Sequence, residues 1–453
     1  MKDWAFKQRE LACLIVRKAP ITQIEALLDD VPDIIPAVTE GTTPLHYAVW
    51  QDYFDAAVLL LQRGCEINSF NDCGYSPLHL AAEDGSIEFV ELLLSQGAQV
   101  NFYAEIKDDF PVLTDTPLRL AVQNGHYEVA KALLEYGADP NQSNFNGTLL
   151  NQITDPNFAG LLLAFGAYPD MLDRSGLTPL MKAARSLNSM ELVVLLVSYG
   201  ADVNARCDGR KDFQTVLHFA VQSGDTDKVL YLMSKGARLK YACLDRSVPH
   251  LLDLAVFKGQ VNMIRLLIRS GAFVNTPSGV VGSPLHVACS GGIPNRHSII
   301  KILLVAGADP NQVVLNMKNE PLICCLAEYL VSDRVLNIDI VRMLLKHGAR
   351  VIMKSQHQHP LGILNYLYNL SLKENRGIMD LLLQAVEPYD MVAVCQTNTM
   401  SVDLKEKLVR VGSRPFSLKH QAKVEIRRTY GHFLPRVIDK DMPKTLANYL
   451  LIQ

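Results

Sequence analysis

The sequence predicts an all-α fold, a solenoid of about ten stacked helix pairs joined by short β-turn fingers. Three observations support this prediction: a recurring phrase, an apolar segment after each copy, and a glycine that closes each unit. The phrase is Thr or Ser, then Pro-Leu-His, one variable residue and Ala, with its clearest copies at Thr43, Ser76 and Ser283. A single helix pair cannot bury its apolar face, so the units must stack on one another. The closing glycines are 29 to 41 residues apart: Gly64, Gly97, Gly137, Gly166, Gly200, Gly236, Gly271, Gly307 and Gly348.

The residues of a unit also explain its individual helices. Thr43 can cap a first helix with its hydroxyl, and Pro44 follows where the first turn needs no backbone N–H. In a second helix, 87–94, apolar residues recur at i, i+3 and i+7, which places them on one face. Gly97 then ends this helix in the left-handed conformation that glycine adopts at little cost.

The phrase and its period resemble the ankyrin repeat, whose units are about 33 residues long. The resemblance covers about residues 41–388. It implies helix pairs whose fingers and first helices form a concave surface for a protein partner. The predicted division is an N-terminal helical cap at 1–40, a repeat array at 41–390, a linker at 391–412 and a C-terminal module at 413–453.

Composition excludes several classes of protein. The chain has 44 Lys and Arg against 47 Asp and Glu, a net charge of −3, so no global basic field favours nucleic acid. No stretch is apolar and long enough for a membrane helix, and the charged start at 1–10 does not resemble a signal peptide. Nine cysteines without a Cys-x-x-Cys pair indicate reduced thiols. We expect an intracellular protein, cytoplasmic and also nuclear, without a membrane or nucleic-acid partner.

No catalytic or cofactor motif accompanies the repeats. The sequence lacks a phosphate-binding Gly-rich loop, a Gly-x-Ser-x-Gly elbow and a His-Glu-x-x-His pair. The phrase histidines, such as His46 and His79, lie one to a unit, so we expect buried hydrogen-bonding residues that join neighbouring fingers. His357 and His359 have no nearby acidic or cysteine partner for a metal. The prediction is a non-catalytic protein with no cofactor and no metal.

The C-terminal segment has a different character from the repeats. Residues 405–453 hold eleven basic against four acidic residues, a net charge of +7. Ser417 can cap a helix in which Leu418, Ala422 and Ile426 recur at i, i+4 and i+8. A second segment, 434–451, holds Met-Pro and a closing helical pattern. The interleaved apolar residues predict a small folded helical module.

This module resembles a SOCS box, and a repeat array followed by a SOCS box is the plan of the ankyrin repeat and SOCS box family. In that family the first helix binds elongin C, with elongin B, and the second part selects cullin-5 with its RING-box protein. The resemblance thus implies a substrate-recognition subunit of a cullin–RING E3 ubiquitin ligase, which holds an unknown protein substrate on its repeats. It places elongin C binding at Ser417, Leu418, Ala422 and Ile426, and cullin binding at Met442, Pro443, Leu446, Tyr449 and Leu450.

The match to the SOCS pattern is incomplete in two places. Ala422 stands where the family usually has Cys, and Lys440-Asp441 replaces the first half of the usual Leu-Pro-Leu-Pro. Two alternatives therefore stay open: a non-catalytic ankyrin scaffold whose SOCS box is vestigial, and a tail that only caps the solenoid. A third, nucleic-acid binding by the basic tail, lacks aromatic stacking platforms and has only the short basic run Arg427-Arg428.

We predict the substrate surface where first helices end, because those positions do not serve the core. Aromatic residues exposed there are expected hot spots, above all Trp50 and Phe257. Trp50 packing against the N-terminal cap is an equal alternative. The overlong fingers at 102–115 and 207–214 are either partner contacts or tolerated insertions. The predicted substrate-binding residues are Trp50, Gln51, Tyr75, Glu83, Asp84, Arg185 and Phe257.

Overall fold

The computed structural model is helical throughout the residues that it describes, with isolated β-bridges and no strands. The described residues are 2–30, 41–101, 115–144, 146–207, 214–239, 250–278, 281–316, 318–333, 335–370, 375–397, 400–413, 415–435, 438 and 450. They form two compact units. The first unit comprises residues 1–183 and 188–202, and the second comprises 184–187 and 203–453.

The first unit begins with two helices in the predicted N-terminal cap and continues with first and second helices in turn, except that a single 3₁₀ turn, Leu149–Asn151, stands in place of the first helix before α9. Among the first helices, α3 contacts α5 and α5 contacts α7. The helices are α1 (Lys2–Val16), α2 (Ile21–Asp30), α3 (Pro44–Trp50), α4 (Phe54–Gln62), α5 (Pro77–Asp84), α6 (Ile87–Ser95), α7 (Pro117–Gln123), α8 (Tyr127–Glu135), α9 (Pro156–Ala164), α10 (Pro179–Arg185) and α11 (Met190–Ser198).

The second unit continues the same alternation and ends in helices beyond the repeats. These are α12 (Val216–Ser223), α13 (Thr226–Ser234), α14 (Leu251–Phe257), α15 (Val261–Arg269), α16 (Pro284–Cys289), α17 (Arg296–Val305), α18 (Cys325–Ser332), α19 (Ile338–Lys346), α20 (Arg376–Ala385), α21 (Met391–Gln396), α22 (Val402–Gly412) and α23 (Leu418–Tyr430).

The signature residues shape each unit as the sequence predicts. Ser76 caps α5 through a capping box with His79, and Pro77 occupies the first helical position. Gly97 has φ +92°, the left-handed value that turns the chain after α6. Leu78 and Leu93 are buried between the stacked helices. Burial of such side chains, at about 25 cal/mol per Å² of apolar surface, is the main stabilising contribution to the stack.

The closing Asn of several repeats joins neighbouring repeats by hydrogen bonds. The Asn275 side-chain amide donates to the Gly307 carbonyl (2.9 Å), while its Oδ1 accepts from the Asp309 backbone N–H (2.8 Å). Asn311 repeats this pattern with the Gly348 carbonyl and the Arg350 N–H, both at 2.8 Å. One side chain thus satisfies a backbone donor and acceptor that the next turn leaves unpaired.

The segment predicted as a linker, 391–412, is largely helical. It forms α21 and α22, which pack on each other, and α22 buries Leu404 and Leu408 at i, i+4 spacing. Tyr389 Oη donates to the Leu408 carbonyl (2.7 Å), and Lys407 pairs with Asp380 of α20 (2.5 Å). The repeats therefore connect to the C-terminal module through packed helices.

Candidate interaction surfaces

The first candidate surface lies on α23, which begins where the sequence predicts. Ser417 caps it, because its Oγ accepts from the His420 backbone N–H (3.2 Å). The helix has 13 residues and ends at Gly431, which has φ +48°. The cap fixes which side chains of α23 face the repeats and which face away.

One face of α23 is bound to the last repeats of the second unit. Arg427 is buried and donates to the backbone carbonyls of Leu345 and, at 3.2 Å, Ala349, at the C-terminal end of α19. Burial lowers the Arg427 pKa to about 10, so the guanidinium stays charged at neutral pH beside the negative end of a helix dipole. His420 Nε2 bonds the Val386 carbonyl (2.8 Å). This face closes the array.

The other face of α23 is open. Leu418 is 84% exposed and Ala422 is also exposed. A helix turns 100° per residue, so a step of four residues brings the side chain back to within about 40° of its starting direction. Leu418 and Ala422 therefore form one exposed strip in which a large apolar side chain lies beside a small one.

Ile426 does not belong to this strip, contrary to the single face that the sequence analysis expected. It is partly buried against a small core of Leu434, Ile438 and Leu450. The reason is helical drift, because two steps of four residues rotate the side chain by about 80°. Leu450, predicted to bind cullin, is likewise only 1% exposed and holds the module together. The other predicted cullin residues, Met442, Pro443, Leu446 and Tyr449, lie outside the described residues.

The phrase histidines are structural in the first unit. The Thr43 backbone N–H donates to His46 Nδ1 (3.1 Å), so the ring proton is on Nε2, which donates to the Tyr75 carbonyl (3.0 Å). Burial lowers the His46 pKa and keeps the ring neutral. The prediction that this histidine joins neighbouring fingers is confirmed.

One repeat of the second unit carries an aspartate at the position where the phrase has histidine. The buried Asp253 accepts from the His250 backbone N–H through Oδ2 (3.1 Å), and burial raises its pKa to about 7. Its Oδ1 has no hydrogen-bond partner among the described residues.

The predicted substrate residues of the first unit flank the first helices. Trp50 is 71% exposed at the end of α3, so α1 and α2 of the N-terminal cap do not bury it, and Gln51 beside it is partly exposed. Glu83 and Asp84 are exposed at the end of the neighbouring α5. Tyr75 lies before α5, half-buried, with its ring stacked on His79. The Tyr75 ring therefore packs within the finger and offers little surface to a partner.

The second unit contains a groove beside Phe257. Arg185 is exposed, and Phe257 is 63% exposed at the end of α14. Phe257 lines a cavity of about 310 Å³ together with Val281, Leu322 and Ile323. Sequence reasoning missed the last two because their unit lacks the phrase. The overlong fingers at 102–115 and 207–214 lie almost entirely outside the described residues.

Comparison with known proteins identifies the family of the repeats. The family model described as ankyrin repeats matches residues 64–144, 151–243 and 252–355, and the single ankyrin repeat model matches 40–72. The chain belongs to the ankyrin repeat family. Its members bind other proteins, so the repeats imply protein partners for this chain. The matched residues end at 355, and none of the matches is to a SOCS box.

Similar proteins match only part of this chain. The chain is 33% identical over 132 residues to the transient receptor potential channel pyrexia of Drosophila melanogaster, covering 29% of this chain and 13% of that protein. It is 31% identical over 159 residues to the B-cell lymphoma 3 protein homolog of Mus musculus, 34% of each. It is 37% identical over 106 residues to the probable E3 ubiquitin-protein ligase XBOS34 of Oryza sativa subsp. japonica, 23% and 20%. The chain spans about a third or less of these relatives.

The described part of the chain holds neither a metal-binding cluster nor a membrane-spanning helix. No group of three or more His, Cys, Asp or Glu side chains there is arranged to hold a metal ion. No helix there has the length and apolar character needed to cross a bilayer.

Proposed function

We propose that the chain is the substrate-recognition subunit of an elongin B/C–cullin-5–RING-box ubiquitin ligase. The observation that carries the proposal is α23, whose one face closes the repeat array while the other leaves Leu418 and Ala422 exposed. Leu418 is the most exposed large hydrophobic side chain in the described part of the chain, so a partner that covers it would remove a larger fraction of such a side chain from water than at any other position there. Leu418 would fill the elongin C pocket, and the small Ala422 would allow close approach.

In this proposal the repeats hold a protein substrate and the C-terminal module holds the ligase. The exposed Trp50 of the first unit and the Phe257 groove of the second offer aromatic anchors. The chain itself performs no chemistry. It raises the local concentration of substrate lysines near a charged E2, and the thioester transfer belongs to the E1 and E2 enzymes. The similarity to XBOS34, named a probable E3 ligase, covers 23% of this chain and adds little.

Co-expression with elongins B and C tests the proposal directly. The expected result is a stable ternary complex on gel filtration that binds the cullin-5 N-terminal domain. A ternary complex without cullin-5 binding would retain the elongin role and reject cullin-5, with Lys440-Asp441 as the cause. A chain that elutes alone would refute the proposal.

A non-catalytic ankyrin scaffold is the second candidate function. The observation that favours it is the inward packing of Ile426 and Leu450, which shows part of the presumed binding set stabilising the module. In a scaffold, α23 acts through Arg427 and His420 alone. Absence of elongin binding together with a loss of stability on truncation after residue 413 would support this alternative.

A further inference from the structure

Two neighbouring second helices of the second unit, α15 and α17, differ in charge from the other second helices. An acidic residue in the first turn is usual in this chain, as in α4, α6, α8, α11, α13 and α19. Such a residue stabilises the positive end of a helix dipole. Neither α15 nor α17 contains any acidic residue, and each carries basic residues instead.

A groove of about 670 Å³ lies between these two helices. This volume is within the range of ligand-binding clefts, about 300–1,000 Å³. Arg265, Arg269, Lys301 and His297 surround it, all exposed, and no acidic residue lines it. Within the described part of the chain none of these four side chains makes an ion pair, although basic residues elsewhere commonly do, as Arg342 does with Asp339 (2.6 Å).

The floor of the groove is apolar. Ile268 and Ile302 are partly exposed and Val305 is 68% exposed, which is unusual for three β-branched side chains on adjoining helices. Arg296, the fifth basic residue of the pair, is directed elsewhere, because it bonds Asp333 (2.5 Å). The groove thus combines an apolar floor with a rim of unpaired cations.

We propose that this groove binds an acidic amphipathic segment of a partner protein. Charge complementarity selects the sign of the ligand, since three permanent cations on the rim suit Asp and Glu. The apolar floor between two helices suits one or two large apolar side chains, as in the mode where a helix lies in a groove. An anionic bilayer fits less well, because the groove between the two helices is concave and a bilayer surface is flat.

The test uses the full chain and a defined probe. The probe is a fluorescein-labelled peptide of three copies of Glu-Leu-Leu-Glu, with peptides carrying Lys for Glu or Ser for Leu as controls. Fluorescence anisotropy should show saturable binding of the acidic amphipathic peptide only. The affinity should fall as salt is raised from 0.05 to 0.5 M, because the Debye length shortens from about 14 to about 4 Å.

Charge reversal separates the groove from a general charge effect. Arg265→Glu with Lys301→Glu should weaken binding by about tenfold or more, because each attraction becomes a repulsion. Lys131→Glu with Lys235→Glu, which changes the net charge equally at exposed sites elsewhere, should have less than a twofold effect. Val305→Asp, at an exposed position, should also weaken binding about tenfold while leaving the thermal melting temperature unchanged.

Three results would overturn the proposal. One is the absence of saturable binding by the acidic peptide. Another is equal weakening by the groove and control reversals. The third is capture of the chain by phosphatidylserine vesicles, or self-association, that competes with the peptide and is abolished by the same groove reversals. The elongin co-purification is independent of all three outcomes.

Discussion

The strongest prediction about function concerns the exposed strip of α23, which consists of Leu418 and Ala422. Leu418 is 84% exposed, so an elongin pocket that covered it could remove nearly the whole side chain from water. Full burial of a leucine side chain is worth about 1.5–3 kcal/mol, and 84% of that is about 1.3–2.5 kcal/mol. Leu418→Ala keeps one methyl-sized carbon, so the expected loss is about 1–2 kcal/mol, or roughly 5- to 30-fold in Kd.

We expect Leu418→Ala to leave the stability of the free chain almost unchanged. An exposed residue that supports no cap or core contact changes stability by less than about 0.5 kcal/mol. Titration of the elongin B/C complex by isothermal calorimetry gives Kd, and thermal unfolding gives the stability of each variant. The effect of Leu418→Ala should therefore appear in the first measurement and be absent from the second.

Val424→Ala is the matched control on the opposite face of α23. Val424 is 8% exposed, so its truncation should lower the melting temperature while the elongin affinity stays within about twofold. A wild-type affinity for Leu418→Ala would refute the reasoning. Equal losses of affinity in both variants would show that elongin binding reports only the folding of the helix.

Three further predictions concern stability, each measured by urea unfolding. Asp253 has a pKa raised to about 7 in the folded chain, so the folded state holds a proton that the unfolded state has released. The free energy of unfolding should therefore fall as the pH rises from about 4 to about 7. Asp253→Asn should remove that slope and stabilise the chain at pH 8 by up to about 4 kcal/mol. Gly97→Ala, at φ +92° and facing open space, should cost about 1–2 kcal/mol of stability. Gly348→Ala, at φ +90°, should cost well over that amount, because its Cβ would collide with the backbone carbonyl of Gly431, which follows α23. Equal costs would argue against the packing of the end of α23 on the last repeats. Arg427→Met should cost about 2 kcal/mol, because the Ala349 carbonyl would lose its Arg427 donor while the Leu345 carbonyl would keep only the Gly348 N–H, and an unchanged midpoint would contradict its role.

The repeat units were predictable because residues within each one specify where its helices begin and end. A capping Thr or Ser, a proline at the next position and a closing glycine determine where a helix begins and ends, whatever the rest of the fold does. The same locality made Ser417 predictable as the cap of α23. The phrase also places Trp50 at the end of its first helix, whereas local signals leave open whether the N-terminal cap covers its ring.

The remaining features depend on contacts between distant segments. The helices at 391–412 lack the phrase, and their burial depends on Tyr389 and α20 rather than on local signals. The Phe257 groove needs Leu322 and Ile323 from a unit whose sequence had degenerated. Ile426 lies off the exposed strip because a step of eight residues rotates its side chain by about 80°, and its packing depends on Leu434, Ile438 and Leu450 from the segment that follows.

The attachment of α23 to the last repeats has a geometric consequence for the proposed ligase. Arg427 and His420 hold the helix at two points along its length, so it has no free hinge against α19 and α20. An elongin complex seated on Leu418 would inherit its direction from the array itself. Which substrate lysines are modified would then depend on their distance from an elongin complex held in a fixed direction. Two substrates bound to the same repeats could therefore differ in whether they are ubiquitinated.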